Sequence, residues 1–572
     1  MSDNTWPWMS EYEKLGLGEP MPVPSVTLYE RVEQVSRDYP DYAALEFMGR
    51  DISYRSFMEM VDKCAASLAA HGIKKGDVVA ICMPNIPQTA IAFYAVNRLG
   101  AKSCMIHPMS SSKEIRDFVN STGAKAIFFT DLFYRAVADI AGETGLEKLF
   151  LASIAEFLSP VVGAAFKLKI RKVLKRQNID ESKVVRFRTL LNSTAPAKPY
   201  ERLVEPNETA AILFSGGTSS GNPKGIELSS DNFNVLSVRL LQFIPEADAG
   251  DRILTILPLF HGFGLGICVH TMLSNGLCCI LVPQFSAAEF VKTIRKKKPQ
   301  FLAGVPSMFD ALMNEPKADK LDYSFVKGAF CGGDTVPPEL KKRFNAYLKA
   351  HNSSVCLREG YGLTECVTCC MLAPRNGEPF NSMGLPLPGV LVKVVEPGTQ
   401  NEVPLGQEGE LCISSDTVMV GYLDSPEENA KTLQVHADGR TWMHSGDMCY
   451  MDENGYSYFK QRIKRIIKVR GFPVYPSVIE DTIRQCKGVK TAAVLGLPDE
   501  KSGERVKAYV VMEDPSMETE ENQNAIIEYC RSQLNKWSVP RLFEYRSELP
   551  LTKVGKISIP ALLQEELAKK NQ

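Results

Sequence analysis

A loop of glycine and hydroxyl residues that ends in a lysine is the part of this chain with the most evident chemistry. Residues 215–225 read Ser-Gly-Gly-Thr-Ser-Ser-Gly-Asn-Pro-Lys-Gly and directly follow the apolar run 210–214. Glycines let successive backbone N–H groups turn inward, hydroxyls add neutral donors, and the lysine adds a mobile positive charge. We therefore predict a phosphate-binding loop formed by Thr218, Ser219, Ser220, Gly221 and Lys224.

This loop differs from the phosphate loop of kinases and GTPases. In that motif the lysine directly follows a glycine and precedes Ser or Thr, whereas here Asn222 and Pro223 separate Gly221 from Lys224, and a glycine follows. A flexible Ser/Gly connector is the alternative, but connectors rarely follow a buried strand so tightly. The pattern thus favours phosphate binding outside the kinase and GTPase classes.

Four further motifs follow in a fixed order. They are Arg-Glu-Gly-Tyr-Gly-Leu-Thr-Glu at 358–365, His-Ser-Gly-Asp at 444–447, Gln-Arg-Ile-Lys at 461–464 and Pro-Leu-Thr-Lys-Val-Gly-Lys-Ile at 550–557. With the first loop, they make the chain resemble the adenylate-forming superfamily of acyl-CoA ligases, stand-alone adenylation domains and insect luciferases, from about residue 25 to about residue 560. The loop and residues 258–263 look most like fatty acyl-CoA ligases.

The resemblance implies that the chain activates a fatty acid with ATP to an acyl-adenylate and transfers the acyl group to coenzyme A. ATP, Mg²⁺ and coenzyme A would then be required. Two catalytic alternatives stay open: an acyl-AMP ligase that loads a carrier protein, and a CoA ligase for an aryl or other carboxylic acid. The alternative outside catalysis is an acyl- or nucleotide-binding protein of lipid uptake, against which the retention of Glu365, Asp447 and Lys556 speaks.

The resemblance also assigns roles around the nucleotide. Thr364 would donate to the α-phosphate and Glu365 would hold Mg²⁺, although the pair could also be a helix cap and its acid. Asp447 would accept the ribose hydroxyls, but an ordinary turn aspartate would look the same. The further nucleotide-binding residues implied are Gly333, Tyr361 and Arg462.

Lys556 matches the lysine that bridges the substrate carboxylate and the α-phosphate in the resembled family. An exposed surface lysine is the common alternative. After adenylation, the family rotates its C-terminal domain about a hinge, which would lie at Lys464. The rotation would bring Lys468, Arg470 and Gly471 to a coenzyme A channel, while an exposed strand edge would equally explain the two basic residues.

An acyl pocket is implied by His261, Phe263 and Gly332. His261 lies among apolar residues, where a histidine is more often a packed side chain than a base, so we interpret it as a wall or gate of the pocket. Two departures from the family pattern stand out. Gln461 replaces the usual glycine, and the hydroxyl run at 218–220 is one residue longer than usual.

The composition is typical of an intracellular enzyme of more than one domain. The chain has 572 residues, 44% of them hydrophobic, and its 66 basic residues balance 67 acidic ones, so no nucleic-acid partner is expected. Its fifteen cysteines lack regular spacing and the N-terminus lacks a signal-like apolar core, which favours a cytoplasmic protein. A Cys-x-x-Cys at 366–369 has no second pair at zinc-finger spacing, so no zinc is expected. The oligomeric state is not determined by these features.

Alternating strand-like and helix-like segments predict an α/β fold. Residues 78–83 form a buried-strand pattern, 87–99 a helical one and 124–130 a strand again, which favours parallel sheets covered by helices. From about residue 384 short β-like runs predict a small β subdomain. We place a large N-terminal domain at 1–463 and a smaller, mobile α+β C-terminal domain at 464–572.

Residues 149–176 combine an interrupted apolar stretch with a basic end. The apolar part covers 149–166 and is broken by Glu156 and Pro160, so it is unsuited to crossing a membrane. Six basic residues follow it: Lys167, Lys169, Arg171, Lys172, Lys175 and Arg176. Two interpretations stay open, a peripheral contact with the inner face of a membrane and a core helix with a solvated basic end.

Overall fold

The computed structural model describes residues 6–192, 199–214, 223–470, 472–499, 502–552 and 556–570. These residues form two compact units. The first contains the described residues up to 214 together with 224–391 and 414–433, and the second contains 392–413 and the described residues from 434 onward. The small β sheet thus groups with the C-terminal segment, whereas the sequence analysis counted it with the N-terminal domain. A domain boundary at Lys464 stays a prediction.

Two sheets form the centre of the first unit, and both are parallel in the middle; the first has antiparallel strands at both edges and the second at one edge. The order of strands in one sheet is Leu385–Pro386, Met371–Leu372, Leu357–Tyr361, Gly328–Gly332, Phe301–Gly304, Arg252–Thr255, Cys278–Leu281, Ala43–Phe47 and Arg50–Ser53. The order in the other is Gly421–Tyr422, Gly225–Ser229, Thr209–Phe214, Lys102–Met105, Val78–Cys82, Ala126–Thr130, Lys148–Ala152 and Val185–Arg186. The predicted α/β class is confirmed, and the antiparallel edges are an addition to the expected parallel sheets.

Helices cover these sheets. They are Met9–Leu15, Leu28–Asp38, Tyr54–Ala70, Pro87–Arg98, Ser112–Thr122, Tyr134–Ala138, Pro160–Gln177, Phe187–Leu191, Ser230–Phe243, Ala287–Lys297, Pro306–Met313, Pro338–Ala350 and Pro426–Thr432, with a π-helical segment at Phe263–Thr271. The helix expected from Pro87 ends at Arg98, as the apolar spacing indicates. Ser286 caps the helix Ala287–Lys297 by accepting the Glu289 N–H at 3.2 Å.

The second unit contains two smaller sheets. One orders Leu391–Val395, Gly409–Ser414, Thr441–Met451 and Leu433–Val435, with Ser457–Arg462 also paired to Thr441–Met451. The other orders Phe472–Val474, Ile467–Val469, Gly503–Met512 and Val489–Asp499, with Leu542–Tyr545 parallel to Gly503–Met512. Helices Pro476–Arg484, Glu520–Gln533 and Ile559–Lys570 complete the unit.

The stretch 149–176 divides into three elements. Its start belongs to the strand Lys148–Ala152, which is largely buried, and a short 3-10 turn covers Ile154–Phe157. The helix Pro160–Gln177 carries all six basic residues, and Gly163 is its buried residue. The apolar stretch is thus partly core strand and partly surface helix, since Glu156 and Pro160 interrupt it. None of the helices among the described residues has the length and apolar character needed to cross a bilayer.

Candidate active site

Lys224 lies in a small cluster of charged and aromatic residues in the first unit. Its ammonium forms an ion pair with the Glu428 carboxylate and lies 4.7 Å from the centroid of the Tyr422 ring. The ion pair lowers the pKa of Glu428 below its usual value. Tyr422 reaches this position because the strand Gly421–Tyr422 pairs with Gly225–Ser229, directly after Lys224. Thr218, Ser219, Ser220 and Gly221 lie outside the described residues.

Tyr422 connects the lysine to the carboxylate expected at the metal. The Tyr422 hydroxyl donates to Glu365 Oε1 at 2.9 Å. Burial, and then the nearby Glu365 charge, raise the pKa of Tyr422, so that the hydroxyl stays a donor. The N–H of Met419 also donates to the backbone O of Glu365 at 2.7 Å. Lys224, Tyr422 and Glu365 therefore form one continuous chain of contacts. The lysine lies over the tyrosine ring, and the tyrosine hydroxyl donates to the glutamate.

Backbone constraints hold Thr364 and Glu365 at the end of a sheet strand. They lie in the 3-10 turn Thr364–Cys366, shortly after the strand Leu357–Tyr361. A Cβ at Gly362 would lie 1.3 Å from the backbone O of Thr368, so only glycine fits between these segments. The Tyr361 backbone O accepts the Cys370 N–H at 3.0 Å, which fixes the strand end.

The residues expected at the acyl pocket lie together. A Cβ added at Gly332 would be 3.6 Å from Phe263 Cε1, and one at Gly333 would be 4.0 Å from Phe263 Cδ1. Gly333 has φ +80°, which favours glycine. The Phe263 N–H donates to His261 Nδ1 at 3.2 Å, so this nitrogen is an acceptor and carries no proton. A histidine held in this way fits a wall better than a base.

A half-buried acid, Glu359, precedes this region on the strand Leu357–Tyr361. Burial raises its pKa to about 7, although the Lys341 ammonium and the Val336 N–H lower it. Its Oε2 is buried and accepts no hydrogen bond from the part of the chain that the structure describes. The sequence analysis did not select Glu359, because the residue type gives no sign of burial.

In the second unit, Asp447 and Arg462 face each other across adjacent strands. They are register partners between Thr441–Met451 and Ser457–Arg462, and Arg462 Nε lies 3.1 Å from Asp447 Oδ1. Asp447 is only 1% exposed. Two residues expected to bind the nucleotide are thus neighbours within this sheet.

The backbone of Lys556 is hydrogen-bonded to that of Thr552, and residues 553–555 between them lie outside the described residues. The Lys556 N–H donates to Thr552 Oγ1 at 3.1 Å, and the Thr552 N–H donates to the Lys556 backbone O at 2.6 Å. Leu551 and Ile557 also form an antiparallel bridge. Local hydrogen bonds therefore hold the backbone of Lys556.

Three of the residues expected at the hinge and the coenzyme A channel, Lys464, Lys468 and Arg470, are exposed in the second unit. Lys464 is exposed in the 3-10 turn Ile463–Arg465, and Lys468 is exposed on the strand Ile467–Val469. Arg470 has φ +52°, and its guanidinium lies 5.6 Å from the centroid of the Trp537 ring. Gly471 lies outside the described residues.

Tyr422 and Glu428 are functional candidates that the sequence analysis missed. Lys224 and Glu428 are 204 positions apart and Tyr422 and Glu365 are 57 apart, so their contacts depend on strand pairing. No motif of the chain signals them.

Glu365 is the residue expected to hold a metal. Groups of three or more His, Cys, Asp or Glu that could hold a metal do not occur among the described residues. Mg²⁺ is commonly held by one or two carboxylates together with substrate phosphates. Glu365, an oxygen ligand in contact with a hydroxyl donor, fits that pattern.

Comparisons with known proteins agree with the motifs. The AMP-binding enzyme family model matches residues 32–423, and the AMP-binding enzyme C-terminal domain model matches residues 478–556. A long-chain-fatty-acid–CoA ligase of Bacillus subtilis (strain 168) is 29% identical over 98% of both chains, and one of Escherichia coli O6:H1 is 32% identical over 96% of both.

Solved structures share the fold. An anthranilate CoA ligase in complex with anthranoyl-AMP has a TM-score of 0.79 at 21% identity and covers 96% of this chain and 98% of its own. A fatty acyl CoA synthetase of Mycobacterium tuberculosis has a TM-score of 0.70 at 24% identity, with coverages of 95% and 99%. The predicted superfamily is confirmed: the chain belongs to the AMP-binding enzyme family.

Proposed function

We propose that this protein is an AMP-forming fatty acyl-CoA ligase that uses ATP and coenzyme A. The observation that supports it most directly is the continuous contact from Lys224 through Tyr422 to Glu365, which joins a phosphate-loop lysine to a candidate metal carboxylate. The named relatives, at about 30% identity over nearly the full chain, add the fatty-acid substrate to this proposal.

The first half-reaction joins two anions, so positive charge and donors must offset their repulsion. Thr364 donates to the α-phosphate, and Lys224 with the hydroxyl loop binds the other phosphates. Glu365 would hold Mg²⁺, which neutralises phosphate charge when bound. Asp447 accepts the ribose hydroxyls beside Arg462, and Tyr361 and Gly333 are further nucleotide-binding residues.

Lys556 supplies the charge that is shared by the attacking carboxylate and the α-phosphate. A flexible ammonium can donate to oxygens of both groups as the new bond forms and pyrophosphate leaves. The acyl chain lies against Phe263, His261 and Gly332. In the second half-reaction the C-terminal segment turns at Lys464, so that Lys468, Arg470 and Gly471 meet coenzyme A.

A panel of acids tests this function. Acetate, medium-chain, long-chain and aromatic acids are each assayed for pyrophosphate release and for thioester formation with coenzyme A or with a carrier protein. We expect release and CoA thioester with long-chain acids. Thioester on the carrier alone would favour an acyl-AMP ligase, and preference for aromatic acids would favour an aryl ligase. Absence of carboxylate-dependent pyrophosphate release would contradict an enzymatic role.

We also propose that the protein makes a peripheral contact with the cytoplasmic face of an anionic membrane. The contact is through the helix Pro160–Gln177, here called the basic helix, and not through the buried start of the stretch 149–176. Val161 and Leu168 are 80% and 71% exposed, seven positions apart and therefore on one face. Six basic residues follow along the same helix. Apolar insertion and attraction to anionic headgroups would act together, near a poorly soluble substrate.

A further inference from the structure

A bulge in the small β sheet presents Asp447. The strands Gly409–Ser414 and Thr441–Met451 pair Cys412 with His444 and Glu410 with Met448. Between these pairs, one residue of the first strand faces three of the second, namely residues 445–447. Extra residues of this kind bend a strand and re-aim a side chain. The conformation of the bulge therefore decides where the Asp447 carboxylate points.

Both carboxylate oxygens of Glu410 are used to hold this bulge. Glu410 Oε1 accepts the Gly446 N–H at 3.0 Å, and Oε2 lies 3.0 Å from His444 Nδ1. Gly446 has φ +70°, a conformation that few other residues adopt. One side chain thus binds the two residues at positions 444 and 446, just before Asp447, while Ser445 Oγ donates to the Leu411 backbone O at 2.7 Å.

A second histidine fixes the orientation of the first. His444 Nε2 lies 3.0 Å from His436 Nε2. His444 therefore uses Nδ1 for the Glu410 carboxylate and Nε2 for the hydrogen bond with His436. The side chains of Glu410 and His444 are both more than nine-tenths buried. Burial raises the pKa of Glu410, but the contacts with His444 and with the Gly446 N–H hold this pKa below its usual range. A buried carboxylate that is fully bonded in this way is costly to disturb.

We infer that Glu410 and His444 are positioning residues for the nucleotide, because they lock the Asp447 bulge in the conformation that accepts the ribose hydroxyls. This inference rests on the proposed role of Asp447 in ATP binding. Neither residue touches the nucleotide in this account. Their effect reaches ATP through the backbone of residues 444–447.

The test compares two nucleotides that differ only at the ribose hydroxyls. Binding of ATP and of 2′,3′-dideoxy-ATP is measured by calorimetry with Mg²⁺ and without fatty acid. We expect the wild type to prefer ATP by about tenfold or more, the scale of hydrogen bonds to a charged group. In Glu410→Ala the preference should fall to within about threefold, as it should in Asp447→Asn. A merely structural defect would weaken both nucleotides and keep their ratio.

Two variants serve as rescue and control. Glu410→Gln keeps an oxygen for the Gly446 N–H and should retain most of the preference. Glu408→Ala removes a carboxylate two positions away, which pairs with Lys460 at 3.2 Å outside the bulge, and should leave the ratio unchanged. If Glu410→Ala does not fold, His444→Phe is measured instead and should lower the ratio at least about threefold.

The outcomes distinguish the positioning role of Glu410 and His444 from the ribose-binding role of Asp447. An unchanged ratio in Glu410→Ala or His444→Phe, with the ratio lost in Asp447→Asn, would overturn the positioning role and leave the ribose role of Asp447 intact. A wild type with no preference for ATP would overturn both, whereas the acid panel tests ligase activity independently of the ribose.

Discussion

At the scale of single residues, Glu359 links stability to pH. Its folded pKa of about 7 exceeds the unfolded value of 4.5, so between these values the folded state binds more protons than the unfolded state. Stability from this group is therefore fully present below pH 4.5 and is lost as the pH rises to 7. Above pH 7 the buried carboxylate is ionised at a cost.

We expect Glu359→Gln to be more heat-stable than the wild type at pH 8, with the gain shrinking at pH 5. The amide cannot ionise, so it avoids the cost that the carboxylate carries above pH 7. The difference in Tm should be on the order of 2 °C or more at pH 8. Thermal unfolding of both proteins at the two pH values measures it, with exposed Glu339→Gln as control. An equal difference at both pH values would contradict the assignment.

Gln461 is a second residue whose burial the sequence left open. It replaces the glycine usual in the family and is 1% exposed, and neither its Oε1 nor its Nε2 has a hydrogen-bond partner among the described residues. An unpaired buried amide costs about 1–3 kcal/mol. The departure from the family pattern therefore has an energetic consequence within the strand Ser457–Arg462.

We predict that Gln461→Leu stabilises the second unit. Leucine has a similar size and no polar group to desolvate, so the gain should be about 1 kcal/mol or more. Denaturant unfolding followed by tryptophan fluorescence would measure it. Gln407→Leu, at an exposed position of the same sheet, is the matched control and should give no gain. A loss of stability in Gln461→Leu would mean that the amide has a partner.

At the scale of elements, the basic helix is a surface helix that buries only Gly163 among its eighteen residues. Its inner positions include Gly163, and a Cβ there would be 3.3 Å from the Ala155 backbone O, so the helix approaches the 3-10 turn Ile154–Phe157 closely. The opposite face carries Val161 and Leu168. Such an apolar stripe with flanking lysines is typical of helices that lie in a membrane interface.

Neutralising Lys167, Lys169, Arg171 and Lys172 to glutamine should release the protein from anionic vesicles at low salt. Each basic residue contributes about 1 kcal/mol near an anionic surface, so four give a loss of several hundredfold or more. Vesicle flotation at low and high salt measures binding. Activity on a short soluble acid should not change.

Neutralising Arg295, Lys296 and Lys298, at the exposed end of the helix Ala287–Lys297, is the control. It lowers the net charge in a similar way but should leave flotation unchanged. Equal loss of vesicle binding in both variants would indicate that net charge alone attracts the protein to the vesicles. Failure of the wild type to bind anionic vesicles would reject the membrane contact.

At the scale of the whole molecule, the two half-reactions need different residues at one reacting centre. In the proposed mechanism Lys556 acts in adenylation, and Lys468, Arg470 and Gly471 act in thioester formation. All four lie in the C-terminal segment. Lys468, Arg470 and Gly471 precede the strand Gly503–Met512 along the chain, and Lys556 follows it. Rotation at Lys464 would allow them to act in turn, as such domain movements do in other enzymes.

Lys556→Ala should separate the half-reactions. Acyl-adenylate formation should fall by about 100-fold or more, because two anions lose their shared cation. Thioester formation from supplied acyl-adenylate should persist. Gly471→Leu should do the reverse, since a side chain would narrow the channel for the thiol. Single-turnover assays of each step give the comparison, and equal losses in both steps for Lys556→Ala would contradict its role.

The sequence alone determined those features of the fold that depend on residues close together along the chain. Apolar spacing predicted a strand at 78–83 and a helix at 87–99, which occur at Val78–Cys82 and Pro87–Arg98, because these patterns are satisfied within a few residues. The five motifs indicated the family for the same reason.

Tertiary structure decided what depends on residues far apart. Tyr422 meets Glu365, and Glu410 meets Gly446, only because pairing of strands sets their register, and a register is a property of two segments together. Burial is decided in the same way: Glu359 and Gln461 are polar residues whose surroundings come from other strands, while Val161 and Leu168 are apolar residues left outside. The type of a residue does not indicate these contacts, because they depend on packing against distant parts of the chain and not on local spacing.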